Sequence, residues 1–167
     1  MRNHGKSDHH KEHTYPLMAD DIVRLLDKLS IPKVTVMGHS MGSKIAYYLA
    51  CKYPDRVEGV ITIDTAPLDF NIHRTSDYDF VRTFQSRLKR LDFEDKYRSQ
   101  IIKETSRMFI SSAVGKMITN NMKFDTKMKS LGWESNVLTI LSHHQQMRTY
   151  EKLGEYTGHF LSLNSGT

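Results

Sequence analysis

One stretch limits what this chain can fold into more than any other: Val34-Thr35-Val36-Met37-Gly38-His39-Ser40-Met41-Gly42-Ser43-Lys44-Ile45. An apolar run breaks at a Gly-x-Ser-x-Gly segment, and Ile45, Ala46, Leu49 and Ala50 then recur at helical spacing. A strand that turns at once into a helix leaves little room at the turn, which predicts glycine at Gly38 and Gly42. The pivot, Ser40, is expected to be strained, with its hydroxyl at the carboxyl edge of the sheet. The helix that follows aims its first backbone N–H groups at the same point. Ser40 is therefore the candidate nucleophile.

The neighbouring segments extend the pattern. The strand is expected from about Lys33 to Met37, and the helix from Gly42 to about Tyr53, where Pro54-Asp55 stops it. A second apolar strand, Val57 to Ile63, ends in Asp64-Thr65-Ala66-Pro67. Strand, helix, strand at this spacing is a βαβ unit with parallel, central strands. Ser40 and Asp64 then share the edge where open α/β sheets place their sites. Upstream, Thr14 and Pro16 open a helix ending near Ser30, with Met18, Ile22, Leu25, Leu26 and Leu29 expected on its buried face.

Residues 1–13 lack apolar periodicity and read as a loop. Their histidines follow no zinc-ligand spacing and have no cysteine beside them, so no metal is expected. After Pro67 the texture becomes helical. Stripes run through Phe80, Phe84, Leu88 and Leu91, through Tyr97, Ile101, Ile102, Met108 and Phe109, through Val114, Met117, Ile118 and Met122, and through Val137, Ile140, Leu141, His144 and Met147. An all-helical insertion is predicted, with His143 and His144 packing on a helix or the surface. The chain returns to a strand pattern from Tyr156.

Composition narrows the function classes. With 38% hydrophobic and 26% charged residues in 167, one domain with a real core is expected. No run approaches the roughly 18 apolar residues of a membrane span, and residues 1–13 resemble neither a secretory signal nor a transit peptide. Cys51 is the one cysteine and is expected as a packed small hydrophobe. The net charge of +5 is concentrated between Arg82 and Lys129, with twelve basic against five acidic residues. That block reads as a solvated helical face, or alternatively as a rim for an anionic substrate or membrane surface. No nucleic-acid module accompanies it, so nucleic acid is not an expected partner.

Four ordered segments, Arg2-Asn3-His4-Gly5, Tyr15-Pro16-Leu17-Met18-Ala19-Asp20-Asp21, Gly38-His39-Ser40-Met41-Gly42-Ser43-Lys44 and Asp64-Thr65-Ala66-Pro67, resemble the α/β-hydrolase superfamily. The resemblance is to the branch that holds alpha/beta-hydrolase domain-containing protein 11 and the bacterial YbfF-type esterases. It implies a partial α/β-hydrolase core over 1–67, a helical lid over 68–155 and the start of a further core strand over 156–167. It also implies hydrolysis of a small acyl ester or thioester without a cofactor. Ser40 matches the nucleophile, Met41 would supply an oxyanion-hole N–H, and Asp64 matches either the triad acid or a capping or supporting acid. Ser43 departs from the family's usual glycine. Animal relatives are mitochondrial, which implies a mitochondrial or cytoplasmic location.

The resemblance covers only the middle of the family's fold, and the catalytic histidine is not found. His159 sits in a Gly-His-aromatic context, but as the entry to a strand it is expected on the opposite sheet edge from Ser40. Two functions are therefore expected to compete. One is a serine hydrolase acting through an acyl-serine, with its histidine supplied by further sequence. The other is a hydrolase-like binding module completed by a partner chain.

Overall fold

A computed structural model describes residues 1–64, 99–100, 103, 120–125, 130–143, 146–147 and 154–164. Two units are distinguished, one of residues 1–2, 11–73 and 143–167, the other of 3–10 and 74–142.

The first unit is built on a parallel sheet of β1 (Val34–His39), β2 (Val57–Ile63) and β5 (His159–Leu163), in the order β1-β2-β5. Helix α1 (Tyr15–Lys28) precedes the sheet, and α2 (Met41–Lys52) connects β1 to β2 through a 3-10 turn at Pro54–Arg56. The βαβ unit expected from the sequence is present, and the first strand runs two residues further than expected, to His39. The core forms between α1, α2 and the sheet, where Met18, Ala19, Ala46, Leu49 and Ala50 are fully buried beside Ile45 and Val60. Alanines at 46 and 50 let the helix backbone approach its neighbours, while Tyr15 and Tyr48 stack at 5.5 Å.

The buried ridge of α1 differs from the expected one. It consists of Tyr15, Met18, Ala19 and Leu26, with Ile22 partly buried, whereas Leu25 and Leu29 are 53% and 57% exposed. At 100° per residue, Tyr15, Ala19, Ile22 and Leu26 line one narrow ridge. Met18, Leu25 and Leu29 share the neighbouring stripe, but Met18 is buried in the first turn, whereas Leu25 lies in the last turn and Leu29 is the C-cap.

Two of the family-like segments meet here. The Arg2 guanidinium donates from Nε at 2.6 Å and from Nη2 at 2.8 Å to the Asp21 carboxylate, and from Nη2 to the Leu17 carbonyl at 3.2 Å. Asp20 accepts from Lys52 Nζ and Tyr53 Oη, each at 2.8 Å, which ties α1 to the end of α2. The Cys51 thiol is partly buried, and burial pushes its pKa up, away from thiolate reactivity.

In the second unit, β3 (Met122–Asp125) pairs antiparallel with β4 (Ser130–Trp133), followed by the short helix α3 (Val137–Ser142). This corrects the all-helical expectation for the insertion. Met122, assigned to a helical stripe, is a buried strand residue whose backbone partner is Trp133, and Phe124 is partnered with Leu131. Met122-Lys123-Phe124-Asp125 alternates with period two, a signal that the longer helical spacing through Val114 and Met117 obscures. The helical stripes expected over 80–118 fall almost wholly outside the described residues, as does His144.

Residues 3–10 are a series of turns, as a loop reading predicts, but Asn3 is fully buried. Its Oδ1 accepts from the His10 N–H at 2.8 Å and from Asn136 Nδ2 at 3.2 Å, and its carbonyl accepts from the Asn136 N–H at 2.9 Å. Among the described residues, no helix is long and apolar enough to cross a membrane.

Candidate active site

The site lies at the carboxyl edge of the parallel sheet. The last residues of β1 and β2, His39 and Ile63, are register partners, so Ser40 and Asp64 each stand one step beyond neighbouring strand ends. The Ser40 N–H donates to the Ile63 carbonyl at 3.1 Å, and the Asp64 N–H donates to the Leu163 carbonyl at 2.8 Å. The backbone is thereby tied across all three strands at this edge. Both residues have left-handed φ, +52° at Ser40 and +51° at Asp64. Such values are unfavourable for side chains other than glycine, and less so for Asp, whose short carboxylate tolerates them.

Ser40 is also the residue that caps α2, with φ +52° and ψ −116°, and its side chain makes no capping bond. A serine at a helix start ordinarily turns its oxygen back onto the first-turn N–H groups. Here the chain enters the helix through a strained pivot, and the hydroxyl stays exposed at the edge. Met41 opens the helix. Its N–H has no carbonyl within the helical ladder to bond, so the ladder leaves it for another acceptor.

The two elbow glycines are not equivalent. A Cβ on Gly38 would fall 2.1 Å from the Gly42 carbonyl oxygen, so the helix start packs directly on the strand backbone there. A Cβ on Gly42 would meet no heavy atom within 4 Å among the described residues. Crowding thus accounts for Gly38 and not for Gly42, which corrects the symmetric steric reason expected from the sequence.

Ser43, where the family pattern has glycine, is completely buried. Its Oγ donates to the Gly38 carbonyl at 2.7 Å and accepts from the Ile63 N–H at 3.2 Å. Its own N–H donates to the Ser40 carbonyl at 3.0 Å. The substitution therefore adds a bridge between strand ends. From the sequence alone the position shows only as a departure from the family's usual glycine.

The acid side of the site contains one relation that the sequence reading did not anticipate. His39 Nε2 lies 4.0 Å from Asp64 Oδ2, with both side chains substantially exposed. His159 is placed elsewhere. It is the first residue of β5, opposite Gly59 near the start of β2, four residues before the edge residue Leu163. Among the described residues no histidine forms a hydrogen bond to the Ser40 hydroxyl. No group of three or more His, Cys, Asp or Glu converges among them either.

The arrangement can present a hydroxyl, the first N–H of a helix and a carboxylate on one edge. Comparison with known proteins finds the same framework. Residues 1–158 match the family model described as alpha/beta hydrolase fold. The chain is 27% identical over 172 residues to mouse sn-1-specific diacylglycerol lipase ABHD11, covering 99% of this chain and 53% of that protein. It is 43% identical over 74 residues to Esterase YbfF of Escherichia coli, covering 44% of this chain and 29% of the relative. A solved marine microorganism esterase superposes with a TM-score of 0.87 at 24% identity, covering 98% of this chain and 62% of that one. The chain thus spans about half the length, or less, of these two curated relatives.

Proposed function

Because the chain belongs to the alpha/beta hydrolase fold family, we propose that it carries the nucleophile and acid of a serine hydrolase for carboxylic esters or thioesters. The observation that carries this reading is Ser40 itself. It is a helix-capping serine held at φ +52° with its hydroxyl unused by the cap, one strand away from Asp64 on the same sheet edge. Relatives named as an esterase and as a diacylglycerol lipase support an ester as substrate.

In the proposed reaction Ser40 Oγ attacks the acyl carbonyl carbon while its proton passes to an imidazole. The Met41 N–H stabilises the oxyanion that develops. The tetrahedral adduct collapses to an acyl-serine, and the alcohol or thiol leaves with the proton. Water then attacks the acyl-serine and regenerates Ser40. Asp64 orients the imidazole and stabilises its cation. That histidine comes from outside the described residues or from a second chain, and the span 68–155 is proposed to close over the substrate as a lid containing the β3–β4 hairpin.

One observation favours a second reading, a hydrolase-like module completed by a partner chain. Met37, Ile61 and Leu161 share a register row across the sheet, and Met37 and Leu161 are 67% and 50% exposed. Parallel sheets are ordinarily covered on both faces.

Covalent labelling with a fluorophosphonate separates the two. Labelling that disappears in Ser40→Ala is expected for the hydrolase. No labelling in a sample whose circular dichroism shows a folded protein would overturn catalysis by this chain on its own and leave the module.

A further inference from the structure

We propose that the Ser43 hydroxyl is a positioning group that sets Ser40 against Asp64. The inference rests on the proposed role of that pair and extends it to a residue outside the expected machinery. Ser43 is fully buried in the first turn of α2. Its single hydroxyl proton goes to the Gly38 carbonyl at 2.7 Å, and a lone pair receives the Ile63 N–H at 3.2 Å. The Ile63 carbonyl, also 3.2 Å from Oγ, is already the acceptor of the Ser40 N–H. One hydroxyl therefore joins the residue two before Ser40 to the residue immediately before Asp64.

The connection matters because both functional residues sit just past the ends of their strands, at left-handed φ, each held across the edge by a backbone N–H bond to a neighbouring strand. Glycine at position 43 would leave the Gly38 carbonyl and the Ile63 N–H without this partner. The strand ends could then slide relative to each other by the fraction of an ångström that proton transfer and attack do not tolerate. Ser43 touches no reacting atom, and its effect is transmitted through Gly38 and Ile63.

The test compares fluorophosphonate labelling of the unmodified chain with Ser43→Ala, Ser43→Gly and Ser43→Thr, with Ser40→Ala as blank. The expected result is that Ala and Gly lower the maximal labelling rate about tenfold, the size of effect that losing one hydrogen bond can have. The probe concentration for half-maximal rate stays unchanged, and Thr, which restores a hydroxyl, recovers most of the rate. Amide exchange at Ile63 is expected to accelerate in Ser43→Ala while exchange at Leu49 and Val60 does not, a readout independent of chemistry. Equal labelling rates in the Ser43 variants and the unmodified chain, or a Thr variant as slow as Ala, would overturn this inference alone. Unchanged Ile63 exchange would do the same. An unmodified chain that labels no better than Ser40→Ala would overturn the nucleophile assignment and this inference with it.

Discussion

Nε2 of His39 lies 4.0 Å from Oδ2 of Asp64, so the carboxylate proposed as the triad acid already faces an imidazole. That imidazole belongs to the residue before the nucleophile. Both side chains are well exposed, and a pair of this length in solvent contributes little to stability.

Exchange of Asp64 for Asn removes the charge while keeping a side chain that tolerates φ near +50°. Asp64→Asn is expected to slow labelling of Ser40 by about 10²-fold or more. His39→Ala is expected to leave the rate within about threefold, as for a screened neighbour. A larger loss in His39→Ala than in Asp64→Asn, read from labelling time courses, would make His39 the functional partner instead.

The two elbow glycines should respond oppositely to the same change. Gly38→Ala places a methyl 2.1 Å from a backbone oxygen and forces helix and strand apart, at a cost of roughly 3 kcal/mol or more. Gly42→Ala adds a methyl within the helix with no described atom within 4 Å, and is expected to be neutral or to stabilise by about 0.5–1 kcal/mol. Urea unfolding monitored by circular dichroism measures both.

Acid should loosen the joint between residue 2 and α1. The Arg2 hydrogen bonds hold the Asp21 carboxyl down at about 2, against an ordinary value of 3.8. A depressed pKa contributes stability that is present above the unfolded value and is lost as pH falls through the folded one. The Asp21 contribution should therefore decline between about pH 4 and pH 2. Asp21→Asn should remove that part of the acid dependence. At pH 7 it should lower stability by roughly 2 kcal/mol, because the guanidinium left behind is almost fully buried. Unfolding curves at stepped pH decide this.

The exposed sheet face predicts association. Replacing Met37 or Leu161, 67% and 50% exposed, by Glu should reduce light scattering of concentrated samples. Stability should change by no more than about 0.5 kcal/mol, as for other surface positions. Unaltered scattering would show that this face is not where copies meet.

The local code carried the framework. Apolar runs ending at Gly38 and Asp64 and Pro54 stopping α2 depend on neighbours in sequence, so β1, α2 and β2 were legible to within two residues. So was the shared edge of Ser40 and Asp64, because parallel pairing through a βαβ crossover leaves no other arrangement. Other features were decided only when distant segments met. Arg2 finds Asp21, Leu25 at the end of α1 stays exposed while Met18 on the same stripe is buried, Met122 leaves its helical stripe to pair with Trp133, and the Ser43 hydroxyl reaches Gly38 and Ile63 together. Each depends on a partner whose distance is set by packing rather than by spacing along the chain. The sequence by itself determined which backbone turns and which hydroxyl stands at the turn. The tertiary structure decided what holds that turn still, because crowding at Gly38 and the bridging bond of Ser43 exist only once helix and strands are in contact.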